Sequence, residues 1–298
     1  MKTIAILVTH GYYPSRPDRD DPQYVEDQIS VISQALAGYD VAVELVFWQD
    51  EGTDWRRFAA VMPLLAWNYP QEVDVLLRRF EEIDAVGVLL LNDAPTLRAN
   101  MDKGYLADLA ARGAPVPPTL SVDACTPEVI LKSFDHFGTD EIIIKPRIGA
   151  GAWRQARLRR GDRVTTADRL PPSAALIQPF LEAVTTEGEL SMLYFGGVFS
   201  HALIKTPKGG DYRTQGQFGA LEAAITPPDD ARVAAEKVLA TAIGAPFVYS
   251  RVDMVRGQDG SWLLMELELI EPWLYLAYDG QGGHHGSELL AQAICARL

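Results

Sequence analysis

The chain has 298 residues, 48% of them hydrophobic, and a formal net charge of −13. That suffices for two or three packed subdomains and carries no disorder signature, while the negative balance excludes nucleic acid or an anionic membrane as the main partner. Cys125 and Cys295 lie far apart without a CxxC context, no signal-peptide pattern opens the chain, and the longest clean apolar run, AVGVLLL at 85–91, is too short to cross a membrane. We therefore expect buried thiols in a cytoplasmic protein.

Ile4–Val8 is apolar throughout, as a strand covered on both faces would be. Val25, Ile29, Ile32 and Leu36 follow at helical spacing, with Gly38 where a C-terminal cap belongs. Val41–Phe47 and Ala85–Leu91 read as further strands, so residues 1–94 form a small open α/β domain. Its first loop, HGYYPSRPDRDD, leaves the carboxyl edge of a strand, where such sheets bind ligands; it reads as a solvated, Pro-stiffened loop more readily than as a substrate loop. His10 is a candidate there, and Tyr12 and Tyr13 are no better supported. An exposed N-terminal domain also suits a homodimer.

A helix around 102–112 ends at Gly113, and Thr126-Pro127-Glu128 starts another. A β-branched strand at 141–144 runs into Lys145 and a small-residue loop, and ALIQPF at 175–180 reads as a buried strand. ELSMLYFGGVFSHALIK splits at Gly196-Gly197 into a hairpin, and residues 230–243 form an amphipathic helix before Gly244. A last hairpin joins YSRVDMV to SWLLMELELI. His284-His285, between glycines, reads as a loop, and Trp48, Trp55 and Trp67 read as core.

The segment WLLMELELIEP places Glu266 and Glu268 on one strand face, where like charges should be depleted. If the turn of this hairpin holds an even number of residues, Val255 faces Trp262 and Asp253 faces Leu264. Arg251, Asp253, Glu266 and Glu268 then share a face; an odd turn or a bulge moves Asp253 away. Three hard oxygen donors with few nitrogens or thiols nearby suit Mg²⁺ or Mn²⁺, and the competing account is an exposed face of Arg–Glu pairs. Such a metal completes its shell with phosphate oxygens. No GxxxxGK[ST] sequence occurs, but Lys145 followed by Gly149-Ala150-Gly151 could close over phosphates, and Lys103 and Lys205 add point charges.

Taken in order, these pieces resemble the ATP-grasp superfamily of carboxylate–amine ligases over nearly the whole chain. The resemblance implies an α/β fold, α+β toward the C-terminus, in which subdomains 95–181 and 182–298 grip ATP between them. It makes Lys103 and Lys145 nucleotide lysines and Gly149 and Gly151 part of the phosphate loop. Backbone near Gln178, Phe180 and Leu181 would meet adenine; Glu189, rather than Glu187, would hold the ribose. Lys205 and Arg213 would face phosphate, Arg251 would stabilise an oxyanion, and Asp253, Glu266 and Glu268 would bind magnesium. Departures are Glu268, where many members have Asn, the loop GAGAW, and IEPWLYL after the ligands, where Glu271 contacts substrate or caps a turn. The ending LELIEP is similar to the cyclo-ligases that close O-ureido-D-serine into D-cycloserine. The implied reaction joins a carboxylate to a nitrogen of a small amino-acid-like substrate using ATP. The alternatives are an intermolecular amino-acid ligase and an ATP-binding regulatory protein without turnover.

Overall fold

In a computed structural model of the chain, the structure describes residues 1–10, 22–163 and 170–298. Of the loop HGYYPSRPDRDD only His10 falls within them; Tyr12 and Tyr13 lie outside.

The first sheet is parallel, in the order β2-β1-β3-β4, from β1 (Lys2–Val8), β2 (Val41–Phe47), β3 (Ala60–Leu65) and β4 (Leu89–Leu90). Helix α1 (Pro22–Ala37) connects the first two strands. The sequence reading missed β3, because Pro63 argues against an interior strand. The strand is nevertheless fully buried, and its register against β1 slips between Met62 and Leu65, where Pro63 sits. The expected strand 85–91 is corrected as well. Helix α2 (Val73–Ala85) runs into it because Leu76, Phe80 and Ile83 bury one helical face, and a left-handed Gly87 ends the connection.

The helix expected around 102–112 is present and stops before Gly113, but it starts at Tyr105. Helix α3 (Ala94–Asn100) and α4 (Tyr105–Ala111) flank a break in which the Lys103 amide donates to the Arg147 carbonyl at 2.8 Å. After β5 (Leu120–Val122), helix α5 (Pro127–Phe137) starts as expected, with the Thr126 hydroxyl accepting from the Val129 amide at 3.2 Å. Strands β6 (Glu141–Pro146), β7 (Ala156–Arg159) and β8 (Ala175–Pro179) complete a second, antiparallel sheet ordered β5-β8-β6-β7.

Beyond the short α6 (Ala183–Thr186) lie β9 (Glu189–Phe195), β10 (Val198–Thr206), β11 (Leu221–Ala224), helix α7 (Asp229–Thr241), β12 (Tyr249–Arg256) and β13 (Trp262–Glu268). They form a third sheet ordered β11-β10-β9-β12-β13. One face buries Met192, Val252, Met254 and Leu264 against Ala231, Ala235 and Val238 of α7. The outer edge of β13 is closed by side chains. Asn100 bonds the Leu267 carbonyl and the Leu269 amide at 2.8 and 3.0 Å, and Tyr105 bonds both backbone groups of Leu267. His284 and His285 open helix α8 (His284–Cys295) instead of forming a loop. Leu290 and Ile294 of α8 share a core with Ile4, Ile32, Leu193 and Leu203, joining the first and third sheets. Cys125 and Cys295 are free and half-buried, short of the full burial expected.

Candidate active site

The β12–β13 hairpin supplies the acidic face by a different route from the even turn. The connecting residues 257–261 are odd in number, which alone would turn Asp253 away. A bulge between Asp253 and Met254 restores parity, so Asp253 faces Glu266 and Arg251 faces Glu268, not the expected Asp253–Leu264 and Val255–Trp262 pairs. Arg251, Asp253, Glu266 and Glu268 still share one face and all line a cavity of about 670 Å³.

Cations lie between the carboxylates. The Arg251 guanidinium bonds Asp253 at 2.9 Å and also Glu268, and Ser191 donates to Asp253. Lys205, on β10, pairs with Glu189 on the neighbouring β9 and stands 3.5 Å from Asp253. Lys103 reaches across from the α3–α4 break to Glu266 at 2.8 Å and to the Gly149 carbonyl at 2.5 Å. Burial would raise Asp253, but Arg251 and Lys205 outweigh it and hold the carboxyl at about 2. Burial pushes Glu268 well up; Arg251 opposes it, while Glu266, Asp253 and Glu271 add to it. Glu271 is raised to about 7 by burial, against the pull of Lys103. Burial pulls the Lys205 ammonium down, yet Asp253 and Glu189 leave it above its ordinary value.

The second sheet forms the opposite wall. Lys145, on β6, is buried and its pKa is lowered by that burial, with Glu266 and Glu189 opposing; among the described residues it has no ion-pair partner. Gly149 needs to be glycine, because a Cβ there would meet the Pro146 ring at 2.8 Å. Gly151 is left-handed, and its carbonyl accepts from the Gln217 side chain at 3.1 Å. Gln178, on β8, is buried with a fixed amide orientation. The Thr119 hydroxyl donates to the Pro117 carbonyl at 2.7 Å, so it accepts from the Gln178 NH₂ at 2.9 Å. The Gln178 Oε1 acceptor is left without a partner among the described residues. Phe180 and Leu181 line the same end; the Phe180 amide is already spent on the Glu141 carbonyl at 3.0 Å.

Of the candidates named from the sequence, Lys103, Lys145, Gly149, Gly151, Gln178, Phe180, Leu181, Glu189, Lys205, Arg213, Arg251, Asp253, Glu266, Glu268 and Glu271 all line this cavity. Arg213 is held by Asp211 at 2.6 Å and lies over the Phe218 ring. Glu187 points elsewhere and pairs with Arg256 at 3.0 Å. His10 is not among the lining residues; it packs edge-on against Phe47 at 5.2 Å. The sequence reading missed Trp273, Tyr275, Ser191 and Thr214, and placed Trp67 in the core. Trp67 instead lines the cavity beside Trp273, with ring centroids 5.7 Å apart. Its position just past the carboxyl end of β3 is the signal, hidden in the sequence together with that strand.

Among the described residues, no three Asp, Glu, His or Cys groups converge into a preformed metal cage. Magnesium asks for less: one or two carboxylates, with phosphate oxygens and water completing the shell. The hard-oxygen set Asp253, Glu266 and Glu268, interleaved with cations able to turn to phosphate, fits that demand.

A sequence model of the N-terminal domain of D-cycloserine synthetase DcsG matches residues 4–92. The cycloserine biosynthesis protein DcsG of Streptomyces lavendulae is 31% identical over 272 residues, 85% of this chain and 89% of that protein. A crystal structure of D-cycloserine synthetase DcsG superposes with a TM-score of 0.82 at 28% identity, covering 99% of both chains. The ATP-grasp ligase PsnB, solved with a precursor variant, Mg and ADP, superposes at 0.64 with 18% identity, covering 99% of this chain and 98% of that one.

Proposed function

The chain belongs to the DcsG family of ATP-grasp ligases, enzymes that form C–N bonds, and from that premise we propose that it closes O-ureido-D-serine to D-cycloserine with ATP. The observation that carries the reading is the cavity in which five carboxylates, three lysines, two arginines and a glycine loop converge.

A carboxylate resists attack by nitrogen because its leaving group would be oxide. Transfer of the γ-phosphoryl group of ATP onto it gives an acylphosphate, whose leaving group is phosphate. In this reading Gln178, Phe180 and Leu181 receive adenine, and Glu189 holds the ribose. Lys103, Lys145 and Lys205, with the backbone of 149–151, hold the phosphates. Asp253, Glu266 and Glu268 would hold magnesium, which when bound offsets phosphate charge during in-line transfer; manganese shares the same donor preference. Lys103, Lys205 and Arg251 exchange carboxylate partners for phosphate oxygens as nucleotide enters. Arg251, and Arg213 once released from Asp211, stabilise charge on the transferring group and then on the tetrahedral intermediate. Each contributes on the order of 2–4 kcal/mol if it acts as a preorganised donor.

The nitrogen attached to the side-chain oxygen then attacks the acyl carbon and phosphate leaves. One water then hydrolyses the bond between the ring nitrogen and the remaining carbamoyl unit, which departs as carbon dioxide and ammonia and balances substrate against product. Because nucleophile and electrophile belong to one molecule, the site must fold the substrate and exclude water. We further propose that 1–94, 95–181 and 182–298 act as three units, the first covering the substrate end and the others gripping the nucleotide.

The test is phosphate release from ATP and Mg²⁺ with O-ureido-D-serine, with the product mass read from the same reaction. Substrate-dependent release with a cyclised product is expected. Release only with another amino acid, or with a pair of them, would discard ring closure and keep a ligase.

A further inference from the structure

The cavity's charges pair off, and two do not. Lys103 pairs with Glu266, Lys205 with Glu189 and Asp253, Arg251 with Asp253 and Glu268, and Arg213 with Asp211. Among the described residues, the lining charges without an ion-pair partner are the Lys145 ammonium and the Glu271 carboxylate. Lys145 stands beside the glycine loop and suits a phosphate. Glu271 is its counterpart: a carboxyl without an ion-pair partner among the described residues, which a cation placed beside it would hold in its charged form.

The surroundings of Glu271 narrow that cation. Its backbone carbonyl accepts from the Trp67 indole at 3.0 Å, which ties the segment after β13 to the segment after β3. Trp67 and Trp273 meet at an interplanar angle of 60°, and Tyr275 also lines the cavity. Aromatic faces attract ammonium groups and offer no hard oxygen to a divalent metal.

We propose that Glu271, walled by Trp67 and Trp273, seats the protonated amine of an α-amino acid substrate. The inference rests on the ligase reading only for the claim that the carboxylate of the same molecule is activated. It adds a chemical role. Seating the ammonium fixes the α-carbon relative to the acyl carbon, so the side-chain nitrogen is held within reach of it, and this makes Glu271 a specificity-determining residue.

The experiment measures calorimetric binding of O-ureido-D-serine, D-serine and their des-amino counterparts to the protein with Mg²⁺ and a non-hydrolysable ATP analogue. The wild type should bind the amine-bearing compounds at least roughly thirtyfold tighter than the des-amino ones. Glu271→Gln should remove most of that difference, leaving nucleotide affinity and the Mg²⁺ dependence within about twofold. Trp273→Leu should reduce the difference in part. Equal binding of amine and des-amino compounds by the wild type would overturn the inference. So would a Glu271→Gln protein that keeps the preference or shifts its Mg²⁺ requirement instead. Because binding is read without turnover, amine-dependent binding by a protein that releases no phosphate from ATP with O-ureido-D-serine in the separate turnover assay would refute ring closure and leave the amine seat standing.

Discussion

Replacing Gln178 by Leu tests whether the nucleotide is read by an acceptor fixed in advance. The Thr119 hydroxyl is committed to the Pro117 carbonyl, so the Gln178 amide cannot flip without losing its bond to that oxygen and setting two acceptors together. Oε1 is left as a buried, unpartnered acceptor on a residue that lines the cavity, and in the proposed reading it meets the exocyclic amine of adenine. A guanine would bring a carbonyl oxygen to the same place. One net hydrogen bond is worth about 0.5–1.5 kcal/mol, so Gln178→Leu should weaken ATP roughly two- to twelvefold. An unmatched buried acceptor costs about 1–3 kcal/mol, so the wild type should prefer ATP to GTP by roughly five- to 150-fold, and the variant should lose most of that preference. Stability should fall by only about 1 kcal/mol, because Oε1 has no partner to lose and only the Thr119 bond is removed. Steady-state KM for both nucleotides and a thermal melt of both proteins would measure this. An unchanged ATP/GTP ratio in Gln178→Leu would refute the reasoning.

Asn92 donates to the Tyr249 and Leu269 carbonyls at 3.0 and 2.9 Å and accepts from the Val248 amide at 2.7 Å. Asn92→Ala orphans three buried backbone groups, so stability should fall on the order of 3 kcal/mol and the melting temperature by roughly 6–12 °C; a loss under about 1 kcal/mol would contradict that role. Burial lowers the pKa of His201 from its ordinary 6.5, with the Leu274 carbonyl opposing. Between the lowered folded value and about 6.5 the unfolded chain binds a proton that the folded one lacks, so stability falls as pH drops through that window. Urea midpoints should decline less steeply with acidification in His201→Gln than in the wild type, and identical slopes would remove His201 from the account. Glu268→Gln should cut Mg²⁺-dependent turnover by at least roughly a hundredfold with the circular dichroism unchanged; near-normal activity would end the metal assignment.

Local chemistry makes the hairpin residues, Lys145 and the glycine loop legible in the sequence itself. A strand face crowded with like charges needs cations, and a lysine before glycines at a strand end suits phosphate. What stays hidden depends on contacts between distant segments. The parity argument names both an odd turn and a bulge, but their cancelling between Asp253 and Glu266 is a property of the folded hairpin. Pro63 conceals β3, and with it the place of Trp67. The break that carries Lys103 to Glu266 follows from a backbone bond to Arg147, far along the chain, which no periodicity records. The Asp211 latch on Arg213 is local, yet whether an arginine rests on a neighbouring aspartate or reaches a phosphate depends on what fills the cavity.

The most direct test of the central claim follows the oxygen. O-ureido-D-serine labelled with ¹⁸O in both carboxylate positions is turned over with ATP and Mg²⁺, and the released phosphate is weighed by mass spectrometry. An acylphosphate route places one labelled oxygen in each phosphate, because the bond broken in the second step is the one between the acyl carbon and that oxygen. Phosphate carrying no label, with product still formed, would mean that the carboxylate was never phosphorylated.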